Sequence, residues 1–149
     1  MTFEIRVLGP DDAAVLAHVA DGVFDRPLSP EWQAEFLADP RHHLAVALAD
    51  GQVVGMATGV NYVNPDKPPE FWVNEVGVSA DYRGQGIGRA LLAALFAEAR
   101  ARGCQAAWVL TDDENVAACR MYEAAGGIRP TLQRMYTFAF ERSATVDGN

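Results

Sequence analysis

The chain has 149 residues and a mass of 16.1 kDa, a length that fits one domain. Half of the residues are apolar and 21% are charged, which excludes disorder or a coiled coil as the main state. The two cysteines, Cys104 and Cys119, lack ligand-like spacing to histidine, so a disulfide scaffold and a metal site are both disfavoured. The chain does not open with a basic segment followed by an apolar run. We therefore expect a cytoplasmic protein without a signal peptide or membrane span.

Charge is distributed unevenly along the chain. The formal net charge is −8; residues 1–82 hold 13 acidic and 4 basic side chains, whereas residues 83–149 hold 7 and 8. The acidic surplus argues against nucleic acid as a partner, because neutralising phosphates requires Lys and Arg. We expect the acidic half to attract a cationic ligand and the other half to tolerate an anionic one. The alternative is an acidic surface that only aids solubility.

Hydrophobic periodicity, helix caps and turns divide the chain into short elements. Asp11 and Ser29 are N-cap residues, Asp50-Gly51 is a two-residue hairpin turn, and Gly126-Gly127 closes the last helix. The predicted elements are a strand over 3–7, helices over 11–21 and 30–39, strands over 44–48 and 53–62, a proline-rich loop over 64–69, a strand over 71–78, a helix over 90–101, a buried strand over 106–111, a helix over 115–125 and a closing strand over 132–140.

The order of these elements predicts an α/β fold. A helix connects strands 71–78 and 106–111, and a crossover of this kind makes two strands parallel. The strands that flank Asp50-Gly51 are antiparallel. We therefore predict a single-domain mixed sheet with antiparallel N-terminal strands, a parallel pair formed by 71–78 and 106–111, and helices on both faces. The domain is expected to span residues 1–142, followed by a loose tail over 143–149.

A glycine-rich loop, RGQGIGR from Arg83 to Arg89, lies between a strand and the strongest helix. Glycines there let the backbone approach a ligand, and N–H groups at a helix start bind phosphate. A dinucleotide fingerprint requires glycine where Arg89 stands, and a P-loop requires Gly-Lys-Ser/Thr, although the chain's only lysine is Lys67. The remaining pattern, Arg/Gln-x-x-Gly-x-Gly/Ala, is matched by Arg83, Gly86 and Gly88. The alternative is a turn without a chemical role.

Three blocks of the sequence resemble the GCN5-related N-acetyltransferase (GNAT) family, and the resemblance covers nearly the whole chain. The blocks are, in order, Asn74-Glu75-Val76-Gly77-Val78, Tyr82-Arg83-Gly84-Gln85-Gly86-Ile87-Gly88 and Asn115…Ala118…Tyr122-Glu123…Gly126. This resemblance implies the GNAT fold, in which strands 71–78 and 106–111 splay apart, and it implies acetyl-coenzyme A as the acetyl donor.

The same resemblance implies which residues hold acetyl-coenzyme A. The pyrophosphate would lie on the amides of Gln85–Arg89 near Arg83, the pantetheine would pair with the edge of strand 74–78, and Asn115 would hydrogen-bond the pantetheine. The implied donor-binding residues are Val76, Val78, Arg83, Gly84, Gln85, Gly86, Ile87, Gly88, Arg89, Asn115, Ala118 and Tyr122.

Acetyl transfer to an amine requires a base, a donor to the oxyanion and an acid for the departing thiolate. Glu75 is the candidate base, since it lies within an apolar strand where burial would raise its pKa; the alternative is that strand alternation exposes it. The backbone N–H of Val76 is the candidate oxyanion donor. Tyr122 is the candidate acid, because seven residues separate it from Asn115 and place both on one helix face. The alternative is a tyrosine packed in the core.

The acceptor is expected to be a small polycationic amine. Acidic residues near the predicted cleft would bind this cationic acceptor. For the acidic residues that follow strand 106–111, the alternative is that they only cap the next helix. The candidate acceptor-binding residues are Glu75, Asp112, Asp113, Glu31 and Glu70. Within the family, the sequence is most similar to small aminoglycoside N-acetyltransferases of the 3-N-acetylating class. This resemblance implies an aminoglycoside antibiotic as the acceptor, acetylated by direct attack in a ternary complex. Asn74 and the proline-rich loop depart from their pattern.

Other readings of the function remain open. The acceptor could be another small amine or a peptide amine, or the chain could be a non-catalytic acyl-coenzyme A sensor. The apolar segment containing Met135, Tyr136, Phe138 and Phe140 could pair across a homodimer or pack within one chain.

Overall fold

The structure is a computed structural model that describes residues 2–140. The chain divides into two compact units, residues 1–110 and residues 111–149, which are described separately. The predicted tail over 143–149 lies outside the described residues. No helix within residues 2–140 is long and apolar enough to cross a membrane.

The first unit is built on one mixed β-sheet. Its strands are β1 (Glu4–Leu8), β2 (His42–Ala49), β3 (Gln52–Asn64), β4 (Lys67–Val78) and β5 (Ala106–Val109), and they lie in the sheet in chain order. The first three pairings are antiparallel and the pairing of β4 with β5 is parallel. The predicted mixed sheet and its parallel pair are therefore confirmed.

The β2–β3 hairpin follows the local sequence. Asp50 and Gly51 have φ angles of 51° and 77°, the left-handed conformation that a two-residue hairpin turn needs at both positions. The Asp-Gly pair supplies that conformation at low steric cost. This turn fixes the register that continues through β3 toward β4.

The predicted loop over 64–69 is wrong, because β3 and β4 form a second hairpin that leaves only Pro65 and Asp66 between them. Asn64 pairs with Lys67 and Tyr62 pairs with Glu70, so Pro68 and Pro69 fall at a register shift. A proline lacks the N–H that the ladder uses, and a bulge is where a strand tolerates it. The prolines therefore shape a strand end that composition alone presents as a loop.

Helices cover both faces of the sheet, as predicted. Helix α1 (Pro30–Ala38) begins at Ser29, whose Oγ accepts a hydrogen bond from Trp32 N, and its Leu37 packs in a cluster with Met56 of β3. Helix α2 (Ile87–Ala101) buries Ile87 against Gly55, the residue next to Met56. Neighbouring residues of a strand face opposite sides, so α1 and α2 lie on opposite faces.

Two other predictions for the first unit need correction. The helix expected over 11–21 is only a 3-10 helix, Ala13–Ala17. It ends because Val53 N donates to His18 O and Ala20 N donates to Val53 O, which ties the chain to the start of β3. The strand expected to be buried over 106–111 is the shorter β5, which is exposed along most of its length.

The second unit contains helix α3 (Val116–Ala124). Asn115 is its N-cap: the side-chain Oδ1 accepts a hydrogen bond from Ala118 N at 3.1 Å. The helix ends at Gly126, whose φ of 96° suits glycine, as predicted. The strand predicted over 132–140 is wrong, since these residues have no strand conformation. Residues 111–140 contain no second strand that could pair with the segment, and alternation alone does not supply one.

Candidate active site around β4

A β-bulge at Asn74 interrupts β4 at the start of the first block that resembles the GNAT family. Glu75 pairs with Thr58 and Val73 pairs with Gly59, so Asn74 is an extra residue without a partner in β3. A bulge shifts the alternation of the strand by one residue. As a result, Glu75 lies on the same face of the sheet as Trp72, although three positions separate them. Bulges of this kind occur preferentially next to active sites.

Glu75 itself is half-buried on this face. Burial raises the pKa of its carboxyl above the ordinary value of 4.5, and the negative charge of Asp25 raises it further. A carboxylate with a raised pKa holds a proton more strongly, which is the property that a general base needs near neutral pH. Asp25 was not anticipated from the sequence, because fifty residues separate it from Glu75.

The backbone of β4 has an edge that β5 does not cover. Pairing between the two strands ends at Val73 and Val109, whereas β4 continues to Val78. Pairing therefore stops five residues before the end of β4, in the region where the family resemblance implies a splay. The uncovered stretch includes Val76 and Val78, the residues predicted to pair with an extended ligand.

The backbone N–H and C=O groups of Val76 and Val78 point toward this edge. Ser79 N donates to Val54 O at 2.9 Å, which makes Gly55 and Val78 a pair that exchanges no backbone hydrogen bond. Pairs of the two kinds alternate along an antiparallel ladder, so the N–H and C=O groups of Val76 and Val78 point away from β3. Arg83 Nε donates to Val78 O at 3.2 Å, consistent with this direction.

The glycine loop leads from β4 into α2 through two left-handed residues. Gly84 and Gly86 have φ angles of 76° and 81°, and a Cβ at either would meet no atom of residues 2–140 within 4 Å. The first backbone hydrogen bond of α2 runs from Ala90 N to Gly86 O. The amides of Ile87, Gly88 and Arg89 precede it and have no partner within the helix. The positive end of the helix dipole and these donors together suit a phosphate.

The second unit holds three of the predicted donor-binding residues. Asn115 caps α3, and Ala118 N is the donor to that cap, so the Ala118 amide is already engaged. Tyr122 is half-buried, and burial raises the pKa of its phenol above the ordinary value of 10.0, with a further contribution from Cys119. A raised pKa keeps the phenol protonated at neutral pH, as an acid requires.

The predicted acceptor-binding acids differ in their surroundings. Asp113 Oδ1 accepts a hydrogen bond from Arg129 Nη1 at 3.0 Å, and the cap of α3 is Asn115 rather than an aspartate. Asp112 is exposed in the same turn, while Glu31 is exposed in the first turn of α1. Glu70 is half-buried in β4 and accepts a hydrogen bond from Tyr62 Oη at 2.7 Å. Of this set, Glu70 and Glu75 share one strand and one face.

Sequence reasoning missed the aromatic neighbours of Glu70. Trp72 and Trp108 stack with ring centroids 5.3 Å apart and an interplanar angle of 11°. Trp108 Nε1 also donates to Tyr62 Oη at 2.6 Å. Glu70 and Trp72 alternate along one strand, which indicates a shared face. Interpreting 64–69 as a loop concealed the pairing of Glu70 with Tyr62.

Comparisons with known proteins concern the chain as a whole. A model of the acetyltransferase (GNAT) family matches residues 14–127. The N-alpha-acetyltransferase RimI of Mycobacterium tuberculosis is 37% identical over 114 residues, which cover 76% of this chain and 70% of that protein. A mycothiol acetyltransferase of Thermobispora bispora is 33% identical over 138 residues, or 86% of this chain. The chain spans only 46% of the length of that relative.

Solved structures share the fold. An aminoglycoside acetyltransferase from an uncultured soil metagenomic sample aligns with a TM-score of 0.79 over 93% of this chain and 99% of its own, at 20% identity. The aminoglycoside acetyltransferase AAC(6')-Iy, in complex with a bisubstrate analogue of coenzyme A, aligns with a TM-score of 0.77 over 93% of this chain and 99% of its own, also at 20% identity. The predicted single-domain α/β fold is confirmed, and at this identity the likeness concerns the fold alone.

Proposed function

Because the chain belongs to the acetyltransferase (GNAT) family, we propose that it transfers the acetyl group of acetyl-coenzyme A to a primary amine of a cationic acceptor. The family and the relatives named as N-acetylating enzymes support an acetyl-coenzyme A-dependent N-acetyltransferase. The observation that carries the proposal is the arrangement of the first unit. There, the amide-lined start of α2 follows directly on the uncovered edge of β4, and Glu75 lies on that strand.

These groups fit the donor. Acetyl-coenzyme A supplies an activated acetyl thioester when it is bound. The amides of Gln85 to Arg89 would hold its pyrophosphate with Arg83, and the backbone of Val76 and Val78 would pair with its pantetheine arm. Asn115 would offer its side-chain amide, Ala118 would contribute packing because its N–H is engaged, and Tyr122 would lie beside the sulfur, as the family resemblance implies.

The chemistry would be divided among three residues of this chain. Glu75 would take the proton of the acceptor ammonium, helped by its raised pKa. The N–H of Val76 would donate to the oxygen on which negative charge develops. The Tyr122 phenol, protonated at neutral pH, would give its proton to the departing thiolate.

The α-amine of a peptide is the acceptor that the relatives support best, since the relative at 37% identity is named for N-alpha acetylation. An aminoglycoside is the second candidate. Half-buried Glu70 and Glu75 on one face, together with Asp25, favour an acceptor with several positive charges. If an aminoglycoside is the acceptor, the resemblance to the 3-N-acetylating class implies its 3-amine as the acetylated position.

A thiol-release assay with purified protein tests the proposal. Acetyl-coenzyme A would be offered with alanine-initiated peptides, polyamines and aminoglycosides, and mass spectrometry would locate the acetyl group. Turnover with a peptide α-amine is the expected result. Turnover with aminoglycosides alone would favour the second candidate. Binding of acetyl-coenzyme A without turnover of any amine would contradict catalysis and favour the sensor.

Assembly and location stay predictions. The described apolar side chains Met135, Tyr136, Phe138 and Phe140 are exposed, and they could be covered across a homodimer or within one chain. Sedimentation distinguishes the two alternatives: a mass of two chains would support the homodimer, and a single-chain mass would exclude it. Fractionation of the source cells would test the predicted cytoplasmic location.

A further inference from the structure

Four side chains form a cluster on the face of the sheet that carries Glu75. Tyr62, Glu70, Trp72 and Trp108, here called the aromatic–carboxylate cluster, come from β3, β4 and β5. Tyr62 is paired with Glu70 across β3 and β4, and Trp72 is paired with Trp108 across β4 and β5. Paired residues of neighbouring strands share a face, so three strands contribute to one surface.

Hydrogen bonds and stacking hold the cluster in one arrangement. Trp108 Nε1 donates to Tyr62 Oη, and Tyr62 Oη donates its own proton to Glu70 Oε2 at 2.7 Å. The phenol therefore uses both its acceptor and its donor capacity within the cluster. The nearly parallel indoles of Trp72 and Trp108 fix a flat aromatic wall beside the carboxylate. Trp108 remains 41% exposed, so a ligand can reach this wall.

The cluster lies in line with the candidate base. Thr58, Val60 and Tyr62 alternate along β3 and pair in turn with Glu75, Trp72 and Glu70. At about 3.4 Å per residue, the indole pair is about 7 Å and the Glu70 carboxylate about 14 Å from the level of Glu75. An acceptor whose amine reaches Glu75 therefore meets the aromatic wall and then a carboxylate.

We propose that the aromatic–carboxylate cluster is an acceptor subsite that binds a second cationic group, an ammonium or guanidinium, about 7 to 14 Å from the amine that is acetylated. Aromatic faces attract cations, and an adjoining carboxylate adds a charge-assisted hydrogen bond. The surplus of 13 acidic over 4 basic residues in 1–82 supports a cation as the occupant. The inference rests on the proposed function, because it assigns the specificity of that same site.

A purely structural role is the competing explanation, since the cluster also joins β5 to the β3–β4 hairpin. The two explanations differ in one respect. A structural cluster affects all acceptors equally, whereas a subsite affects only acceptors that carry the second charge. The test therefore compares charged and neutral acceptors of the same shape.

Pentapeptides provide such acceptors. Alanine peptides with lysine at the third or fifth residue place the lysine Cα about 7 or 14 Å from the first Cα in an extended chain, and norleucine at the same residue is the neutral match. The wild-type chain is expected to have an about tenfold lower KM for a lysine peptide than for its norleucine match. Spermine and gentamicin form a second arm of the test. They show whether the acceptor that carries the second cationic group is a small molecule rather than a peptide.

Two variants remove parts of the subsite. Glu70→Gln removes the charge but retains an acceptor for Tyr62, and Trp108→Leu removes an aromatic face; Glu4→Gln on exposed β1 is the control. In both cluster variants, the ratio of the KM values for the norleucine and lysine peptides is expected to fall to about twofold or less. The subsite would be overturned if Glu70→Gln kept the wild-type preference for lysine over norleucine peptides. It would also be overturned if the wild type favoured neither the lysine peptides nor spermine and gentamicin over the norleucine peptides.

Calorimetry separates this inference from the proposed function. If no amine is acetylated, the affinities of the same peptides and of spermine are measured for wild type and Glu70→Gln in the presence of coenzyme A. Preferential binding of the charged probe that Glu70→Gln abolishes supports the subsite even where the proposed transfer fails. Equal binding of charged and neutral probes overturns it.

Discussion

Gly77→Ala should disturb the site on the face of β4 that carries Glu75. A Cβ at Gly77 would lie 2.1 Å from Val23 O and 3.2 Å from Val23 C. Because both are backbone atoms, no flexible side chain can yield, and the segment carrying Val23 must move by about 1 Å. Overpacking of this kind costs about 1 to 3 kcal/mol of unfolding free energy. For a chain of this length, that corresponds to a Tm lower by about 2 to 12 °C.

The same displacement should alter the activity profile. Burial of Glu75 raises the pKa of its carboxyl, and the charge of Asp25, two residues after Val23, raises it further. Moving this segment away admits water and weakens that effect, so the pKa of Glu75 falls toward its ordinary value. The acidic limb of kcat/KM, which rises as Glu75 loses its proton, should therefore shift to lower pH.

Calorimetry and a pH series of thiol-release rates measure both effects. Gly9→Ala is the matched control, since a Cβ there lies 3.6 Å from Asp12 Oδ2, an ordinary contact. If Gly77→Ala retained the wild-type Tm and pH profile, the close packing of this segment on β4 would be refuted.

Two further predictions concern the donor site. Gly86→Ala forces an L-residue to a φ of 81°, at a cost of about 1 to 2 kcal/mol. The KM for acetyl-coenzyme A should therefore rise several-fold, and Gly86→Asn should raise it less, because asparagine tolerates this conformation better. Equal effects of Ala and Asn would exclude a conformational cause. Tyr122→Phe should lower kcat about 100-fold and leave the Kd for acetyl-coenzyme A unchanged. An unchanged kcat in a stopped-flow assay would reject Tyr122 as the acid.

The elements that sequence reasoning predicted correctly depend on neighbouring residues. Asp50-Gly51 specifies its own hairpin turn, and Ser29-Pro30 specifies the start of α1. The glycine loop was recognised for the same reason, since its conformation is set by Gly84 and Gly86 themselves. These signals are local, and tertiary context did not override them.

The errors arose where distant segments decide the outcome. Backbone hydrogen bonds to Val53 end the 3-10 helix that was expected to continue to about residue 21. Pro68 and Pro69 are accommodated by a bulge that exists only because Asn64 pairs with Lys67. Residues 132–140 alternate like a strand, but the second unit offers no described strand to pair with them.

Glu75 combines features that its sequence neighbours determine with features that distant segments determine. Its type and its apolar strand identified it as a candidate base without knowledge of the fold. The bulge at Asn74, the neighbouring charge of Asp25 and the face shared with Trp72 follow from pairing with β3 and from packing of residues far along the chain. Such features require the register, which composition and periodicity do not provide.

The pH dependence of acetyl transfer by wild type and Glu75→Gln tests the central claim most directly, with the Kd of acetyl-coenzyme A measured beside it. The account predicts a wild-type acidic limb above pH 4.5, set by the raised pKa of Glu75. In Glu75→Gln, kcat/KM should fall by about 100-fold or more and lose this limb, while the Kd stays within about twofold. A variant with wild-type rates and an unchanged acidic limb would contradict the assignment of Glu75 as the base.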